Sequence, residues 1–212
     1  MTNNIFEYEI IEKNDDYMLE KLKNIISNNI YVNKCISNSK KDIHSLSYLF
    51  HDLNLSQSDN IKVGNGLEKI LCQFISESTK LKNIKNKNTK GVKEKDHLFL
   101  HEEDKIIYYA ELKSNLNLDT EKSKYTENKC SQIEKELQNK YPEYKIIMRL
   151  VCLRYCNKKD IPKIITNKYK DIQEKLIGLN DYFTLLNINL KFNNKNEYKN
   201  ILNFLIKKMF NK

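Results

Sequence analysis

The chain has 212 residues, enough for a single domain that buries a sizeable core. Its 37 basic residues against 28 acidic ones give a net charge of +9, which favours a polyanionic partner, although heavy use of Lys, Asn and Ile also fits an A+T-rich coding sequence. No uninterrupted apolar run approaches the roughly 18 residues of a membrane span, and the N-terminus is polar and acidic rather than basic and then apolar, so a soluble, cytoplasmic chain without a membrane partner is expected.

Residues 14–30 place Met18, Leu22, Ile25, Ile26 and Ile30 at helical spacing, and 41–52 reads as a second helix. A third helix over 65–77 sets Leu67, Ile70, Leu71, Phe74 and Ile75 on one face, after a loop at Gly64-Asn65-Gly66. Glu68 lies at the border of that stripe, where the ordinary use of a carboxylate is to complement the helix dipole. Residues 80–95 hold seven lysines against one glutamate, leaving too little apolar surface to pack, so a mobile loop is expected. Charge runs are usually solvated faces. Phosphate contact through Lys85, Lys87, Lys90 and Lys93 is nevertheless the better reading here, because the run leads directly into Asp96.

Residues 96–101 and 105–113 are apolar-rich and aromatic-rich runs that suit two strands, with Glu102, Glu103 and Asp104 marking a turn. A hairpin centred on Glu103-Asp104 sets Asp96 directly opposite Glu111, with Cβ atoms roughly 4.5–5.5 Å apart. Alternation puts Lys113 on the face of Glu111 and turns Leu112 away. It also turns His97 away from Asp96, so His97 is not a catalytic candidate. Glu-x-Lys alone is common in so charged a chain and is most often a solvated strand edge. Both faces of these strands are otherwise apolar, however, and two carboxylates and an ammonium gathered at the end of such a sheet need a use. Asp96 and Glu111, with the Leu112 carbonyl as a further oxygen ligand, suit Mg2+, a hard cation that takes few carboxylates plus phosphate and water. Lys113 is poised beside them.

After the hairpin, 119–141 reads as a long polar helix capped by Asn117 or Asp119 and stopped by Pro142. The run 144–156 is a strongly apolar strand. Strand, strand, helix, strand makes an α/β (α+β) fold with a central mixed β-sheet flanked by helices. The last helix carries Tyr198, Ile201, Leu202, Leu205 and Met209 on one face, for core or dimer contact. Five scattered cysteines form no zinc pattern; Cys152 and Cys156, placed in one strand, are buried thiols in this reading. Only four glycines exist, which excludes a phosphate-cradling loop and with it a nucleotide cofactor.

Asp96, fourteen residues, then Glu111-Leu112-Lys113 resembles the PD-(D/E)xK nuclease superfamily, with Lys95 where that motif often has proline. The run from Ala110 through Ser114-Asn115 and the chain length resemble a type II restriction endonuclease in particular. The resemblance covers roughly residues 62–156. It implies a restriction-endonuclease-like core there and says little about either end; the chain itself reads as a helical part at 1–61 and a part at 157–212 for recognition or dimer contacts, within a single nuclease domain. The resemblance implies Asp96, Glu111 and Lys113 as catalytic residues and Mg2+ as cofactor. Related nucleases often place a third acid on the helix before the hairpin, which makes Glu68 a catalytic candidate as well as a dipole partner. The expected activity is site-specific cleavage of double-stranded DNA by a homodimer, with Ser114, Asn115, Asn117 and Lys122 as candidate DNA contacts. A repair or junction-resolving nuclease of the same fold, or a non-catalytic basic DNA-binding protein, is the alternative.

Overall fold

The computed structural model describes residues 6–38, 57–85, 94–114 and 116–210. They fall into two compact units, one formed by Met1–Phe74 with Phe183–Lys212 and the other by Ile75–Tyr182. The helix expected at 41–52 lies outside the described residues.

Helices α1 (Phe6–Asn28), α2 (Ile30–Asn38) and most of α3 (Gln57–Ser78) belong to the first unit. The α1 stripe is where its spacing puts it: Met18, Leu22, Ile25 and Ile26 are all buried. Ile30 departs from that stripe and is 73% exposed. The cause is Asn29, whose side-chain oxygen accepts the N–H groups of Tyr31 at 3.0 Å and Val32 at 3.3 Å. It acts as an N-cap that starts a new helix and resets the phase.

Gly64-Asn65-Gly66 is not a loop but part of α3, whose buried stripe reaches back to Val63. A glycine inside a helix costs about 1 kcal/mol relative to alanine, yet Gly66 is needed for close approach. A Cβ there would stand 3.0 Å from the Met209 sulfur and 3.7 Å from the Tyr31 ring.

The second unit contains the sheet. Its strands are β1 (Lys82–Asn83), β2 (His97–His101), β3 (Ile106–Lys113), β4 (Lys145–Cys152) and β5 (Leu176–Ile177), in spatial order β1-β2-β3-β4-β5. β2 runs antiparallel to both β1 and β3, whereas β3, β4 and β5 run parallel. The sheet is therefore mixed, as expected. The hairpin pairs Leu98 with Tyr109 and Phe99 with Tyr108. Its turn is 102–105, where the Asp104 N–H donates to His101 Nδ1 and Lys105 takes a φ of 51°.

Joining parallel β3 to β4 requires a crossover, supplied by α4 (Thr120–Lys140). Asp119 caps it by accepting the Lys122 N–H at 2.8 Å. Cys130, Ile133 and Leu137 of α4 cluster with Leu98, Ile107, Tyr109, Met148, Leu150, Cys152 and Leu176, the alternate positions on one sheet face. On the other face His97, Phe99, Ala110, Leu112 and Val151 are buried too. His97 points away from Asp96 and meets the Tyr182 hydroxyl at 3.1 Å.

Three local expectations give way. The lysine-rich segment does pack at its start: Leu81 is buried, Lys82 and Asn83 pair with Leu100 and Phe99, and the Ile84 N–H donates to the Leu98 carbonyl. Main-chain pairing does not require apolar side chains, so a basic run can still serve as an edge strand. Next, β4 ends at Cys152, because the chain turns when the Tyr155 N–H bonds back to the Cys152 carbonyl. Cys152 and Cys156 are both buried without sharing a strand. Finally, β5 lies beyond residue 156, so the sheet draws on the C-terminal part of the chain.

The remaining α-helices among the described residues are α5 (Lys163–Thr166), α6 (Leu179–Leu185) and α7 (Lys195–Phe210), with 3-10 turns at Lys158–Asp160 and Lys170–Lys175. The α7 stripe of Tyr198, Ile201, Leu202, Leu205 and Met209 is core of the first unit, where α7 meets α1 and α2. Among the described residues no helix is long and apolar enough to cross a membrane.

The two α3 glycines should respond oppositely to substitution. Nothing lies within 4 Å of a Cβ at Gly64, so Gly64→Ala should stabilise by about 0.5–1 kcal/mol through chain entropy. Gly66→Leu should destabilise by about 1–3 kcal/mol through overpacking against Met209. Urea denaturation midpoints check both signs.

Candidate active site

Asp96 is the last residue before β2. Continuing the register from His97 opposite Ala110 sets Asp96 across from Glu111. Its position is fixed by the backbone: Asp96 Oδ2 accepts the Leu112 N–H at 2.7 Å. Glu111 belongs to the same sheet face as Tyr109 and Lys113, the face that α4 covers. Its side chain is fully buried.

A buried carboxylate must be paired and fully hydrogen-bonded, and Glu111 is. Lys113 Nζ donates to Oε1 at 2.7 Å. Lys129 Nζ donates to Oε1 and Oε2, each at 2.7 Å. The Tyr109 hydroxyl donates to Oε2 at 3.2 Å. Lys113 is 34% exposed and Lys129 14%, so the cluster is reachable from solvent along its lysine side. Two acids and two ammonium groups make it neutral overall.

The two acids are shifted in opposite directions. Burial and the neighbouring Glu111 charge raise the Asp96 carboxyl to about 6, against the opposing pull of Lys113, the Leu112 N–H and Lys129. Burial also works against the Glu111 charge, but Lys113 and Lys129 outweigh it and hold that carboxyl below its ordinary value. For Lys113, burial alone would lower the pKa; the Glu111 and Asp96 carboxylates reverse this, and it stays an ammonium. Burial and Glu111 push the Tyr109 phenol far up, which leaves it a donor. Burial likewise pushes the Cys130 thiol up to about 12, so the sulfur beside the cluster is no nucleophile.

The donor set is two hard carboxylates, which fits Mg2+ held by one or two carboxylates together with phosphate and water. It does not fit an all-protein cage: among the described residues no three His, Cys, Asp or Glu side chains converge on one point. Glu68 is half-buried on the part of α3 assigned to the first unit, while Asp96 and Glu111 belong to the second.

The other sequence candidates are placed as follows. Lys85 leaves β1 with Nζ 3.4 Å from the Asp96 carbonyl and 3.8 Å from Glu94, at the edge of the cluster. Ser114 directly follows Lys113 and is half-buried. Asn117 is exposed and accepts from Lys168 Nζ at 2.7 Å. Lys122 is exposed and pairs with Asp119 at 2.9 Å. Lys87, Lys90, Lys93 and Asn115 lie outside the described residues.

Lys129 and Tyr109 are the members that the motif reading misses. Tyr109 was legible as the position two before Glu111 on the same strand face. Lys129 leaves a fainter trace. It adjoins Cys130 and stands four residues before Ile133, so it borders the buried stripe of the helix that must cross this sheet face. Comparison with protein-family models, curated proteins and solved structures finds no match.

The raised Asp96 carboxyl has a stability consequence with a definite sign. Its folded pKa lies near 6, above the ordinary aspartate value of about 3.9. Its contribution to stability is therefore full below about pH 4 and is lost as pH rises through about 6. Asp96→Asn mimics the neutral acid and can still accept the Leu112 N–H. The variant should be more stable than wild type at about pH 7.5, with the gap closing as pH falls from about 6 to about 4. Denaturation midpoints across that range measure it; a constant gap would contradict the assignment.

Proposed function

We propose that this protein is a Mg2+-dependent endonuclease acting on double-stranded DNA, with a PD-(D/E)xK site and a restriction-type role. One observation carries the reading: Asp96, bound to the Leu112 N–H at 2.7 Å, stands one residue beyond the His97–Ala110 pair and so in line with Glu111, and Lys113 lies two residues on, with its ammonium 2.7 Å from Glu111. The mixed sheet built from a hairpin, a crossover helix and a parallel strand, and the net charge of +9, support it.

In this reading Asp96 and Glu111 hold the cation, with the Leu112 carbonyl as a further oxygen. When bound, the cation would neutralise the scissile phosphate and make water a better nucleophile at neutral pH. Lys113, the more exposed of the two site lysines, orients the attacking water and offsets charge at phosphorus. Tyr109 keeps its proton and anchors the Glu111 oxygen that Lys113 does not touch. Lys85, at the edge of the cluster, contacts the DNA backbone. Two-fold symmetry is the simplest way to cut both strands of a palindrome, since the described residues form one such site. The reading therefore includes a homodimer.

The filled hydrogen-bond complement of Glu111 favours a second reading, in which the cluster is a structural ion network of a non-catalytic DNA-binding protein. Metal-dependent cleavage separates the two. Discrete fragments from a defined plasmid would favour restriction over repair or junction resolution.

Asp96→Asn, Glu111→Gln and Lys113→Gln should each reduce Mg2+-dependent plasmid cleavage by at least about a hundredfold. Binding of DNA should survive, and Ca2+ should support binding without efficient turnover. Full cleavage by the Asp96 or Glu111 variant would put the site elsewhere. For the basic segment, the combined change of Lys85, Lys87 and Lys90 to Ala should weaken all DNA sequences alike. It should flatten the slope of log affinity against log salt by about 0.9 for each phosphate no longer neutralised, and an unchanged slope would remove the segment from the interface.

A further inference from the structure

The acceptor capacity of Glu111 is fully used. An ionised carboxylate offers about four lone-pair sites. Lys113 and Lys129 occupy those of Oε1; Tyr109 and Lys129 occupy those of Oε2. No cation can join this carboxylate without displacing a donor. Tyr109 is a poor candidate to leave, because its ring is wholly buried in the sheet core. Lys113 touches one oxygen only, so its departure would open one side. Lys129 touches both, and its departure opens a place on each.

Charge points to the same residue. With both lysines in place the four charged groups cancel, and an incoming divalent cation would leave an excess of two positive charges. Withdrawal of Lys129 halves that excess. Its ammonium sits on a flexible four-carbon stem, with 14% of the side chain exposed, so a path toward solvent exists.

We infer that Lys129 is an internal counter-ion of the metal site: its ammonium holds Glu111 in the metal-free protein, and it has to leave that carboxylate when a divalent cation binds. The inference rests on Glu111 being a metal carboxylate. It goes beyond that assignment by giving the metal-free site a built-in competitor and by making cation affinity a property of α4 as well as of the hairpin.

Mn2+ binding, followed by electron paramagnetic resonance of the free ion, tests this without any turnover. Lys129→Gln keeps an N–H donor for Glu111 but removes the charge, and should bind Mn2+ at least about tenfold more tightly than wild type, given the coupling energies of close charge pairs. Lys129→Arg keeps the charge and should bind no more tightly than wild type. The metal-free Lys129→Gln protein should melt below wild type, because Glu111 loses a cation, and saturating Mn2+ should close that difference. Equal or weaker Mn2+ binding by Lys129→Gln would overturn the inference. So would an arginine variant that gains affinity as the glutamine variant does, or an unchanged metal-free melting temperature. Glu111→Gln separates the two levels. If it abolishes Mn2+ binding while Lys129→Gln fails to tighten it, the metal site stands and the counter-ion role falls. If Mn2+ binding ignores Glu111 altogether, both fall.

Discussion

Burying the charge of Glu111 is the constraint around which the second unit is arranged. Removing one partner from a buried ion pair costs about 3–5 kcal/mol, so a carboxylate at zero exposure obliges the fold to bring cations to it. One comes cheaply, from Lys113 on the same strand face. The other, Lys129, comes from α4 packed on that face. The helix is polar for an element that covers a core, with only Cys130, Ile133 and Leu137 as its buried apolar residues. Polar contacts secure it instead. Lys129 engages Glu111, the buried Glu127 accepts the Asp171 N–H at 3.0 Å, and Glu134 pairs with Lys175 at 2.6 Å. Each contact ties the helix to something other than a hydrophobic surface. Its rotation over the sheet is therefore set by charge as much as by packing.

The same arrangement separates the two acids chemically. Asp96 and Glu111 are alike as isolated groups, yet Glu111 receives direct contacts from both ammonium groups while Asp96 receives a backbone N–H. One stays charged across the ordinary pH range. The other titrates near 6. Two carboxylates in proximity resist double ionisation, and the fold resolves the conflict by allotting the cations unequally. Lys113 and Lys129 already balance the two acids when both are ionised, so a divalent cation that binds them meets ammonium groups in place.

How much of this was legible in the sequence depends on the range of the interaction. Hairpin register follows from two-residue alternation and turn position, both local, so the opposition of Asp96 and Glu111 could be read from residues 96–113. The α4 cap at Asp119 and the α7 stripe are equally local. Lys129 belongs to a different class: its partner is eighteen residues away, on the strand before its helix, and no periodicity announces which border residue of α4 will meet which strand position. Gly64-Asn65-Gly66 misleads for a related reason. Glycine usually marks a break, but here the close approach of Met209, more than a hundred residues on, makes it a packing residue inside a helix. The edge strand β1 was hidden because backbone pairing leaves no apolar signature in a lysine-rich run.

The neutrality of the cluster has a consequence for attraction of an anionic partner. With two acids and two ammonium groups in balance, the site exerts little net pull on a distant polyanion, and the charges that could do so must stand around it. The segment 80–95 carries a net charge of six positive, and the structure ties both of its ends beside the acids. At one end β1 pairs with β2 and delivers Lys85 to the Asp96 carbonyl; at the other, Glu94 and Lys95 lead straight into Asp96. In the proposed function the basic segment would attract the polyanion and the neutral cluster would carry the chemistry.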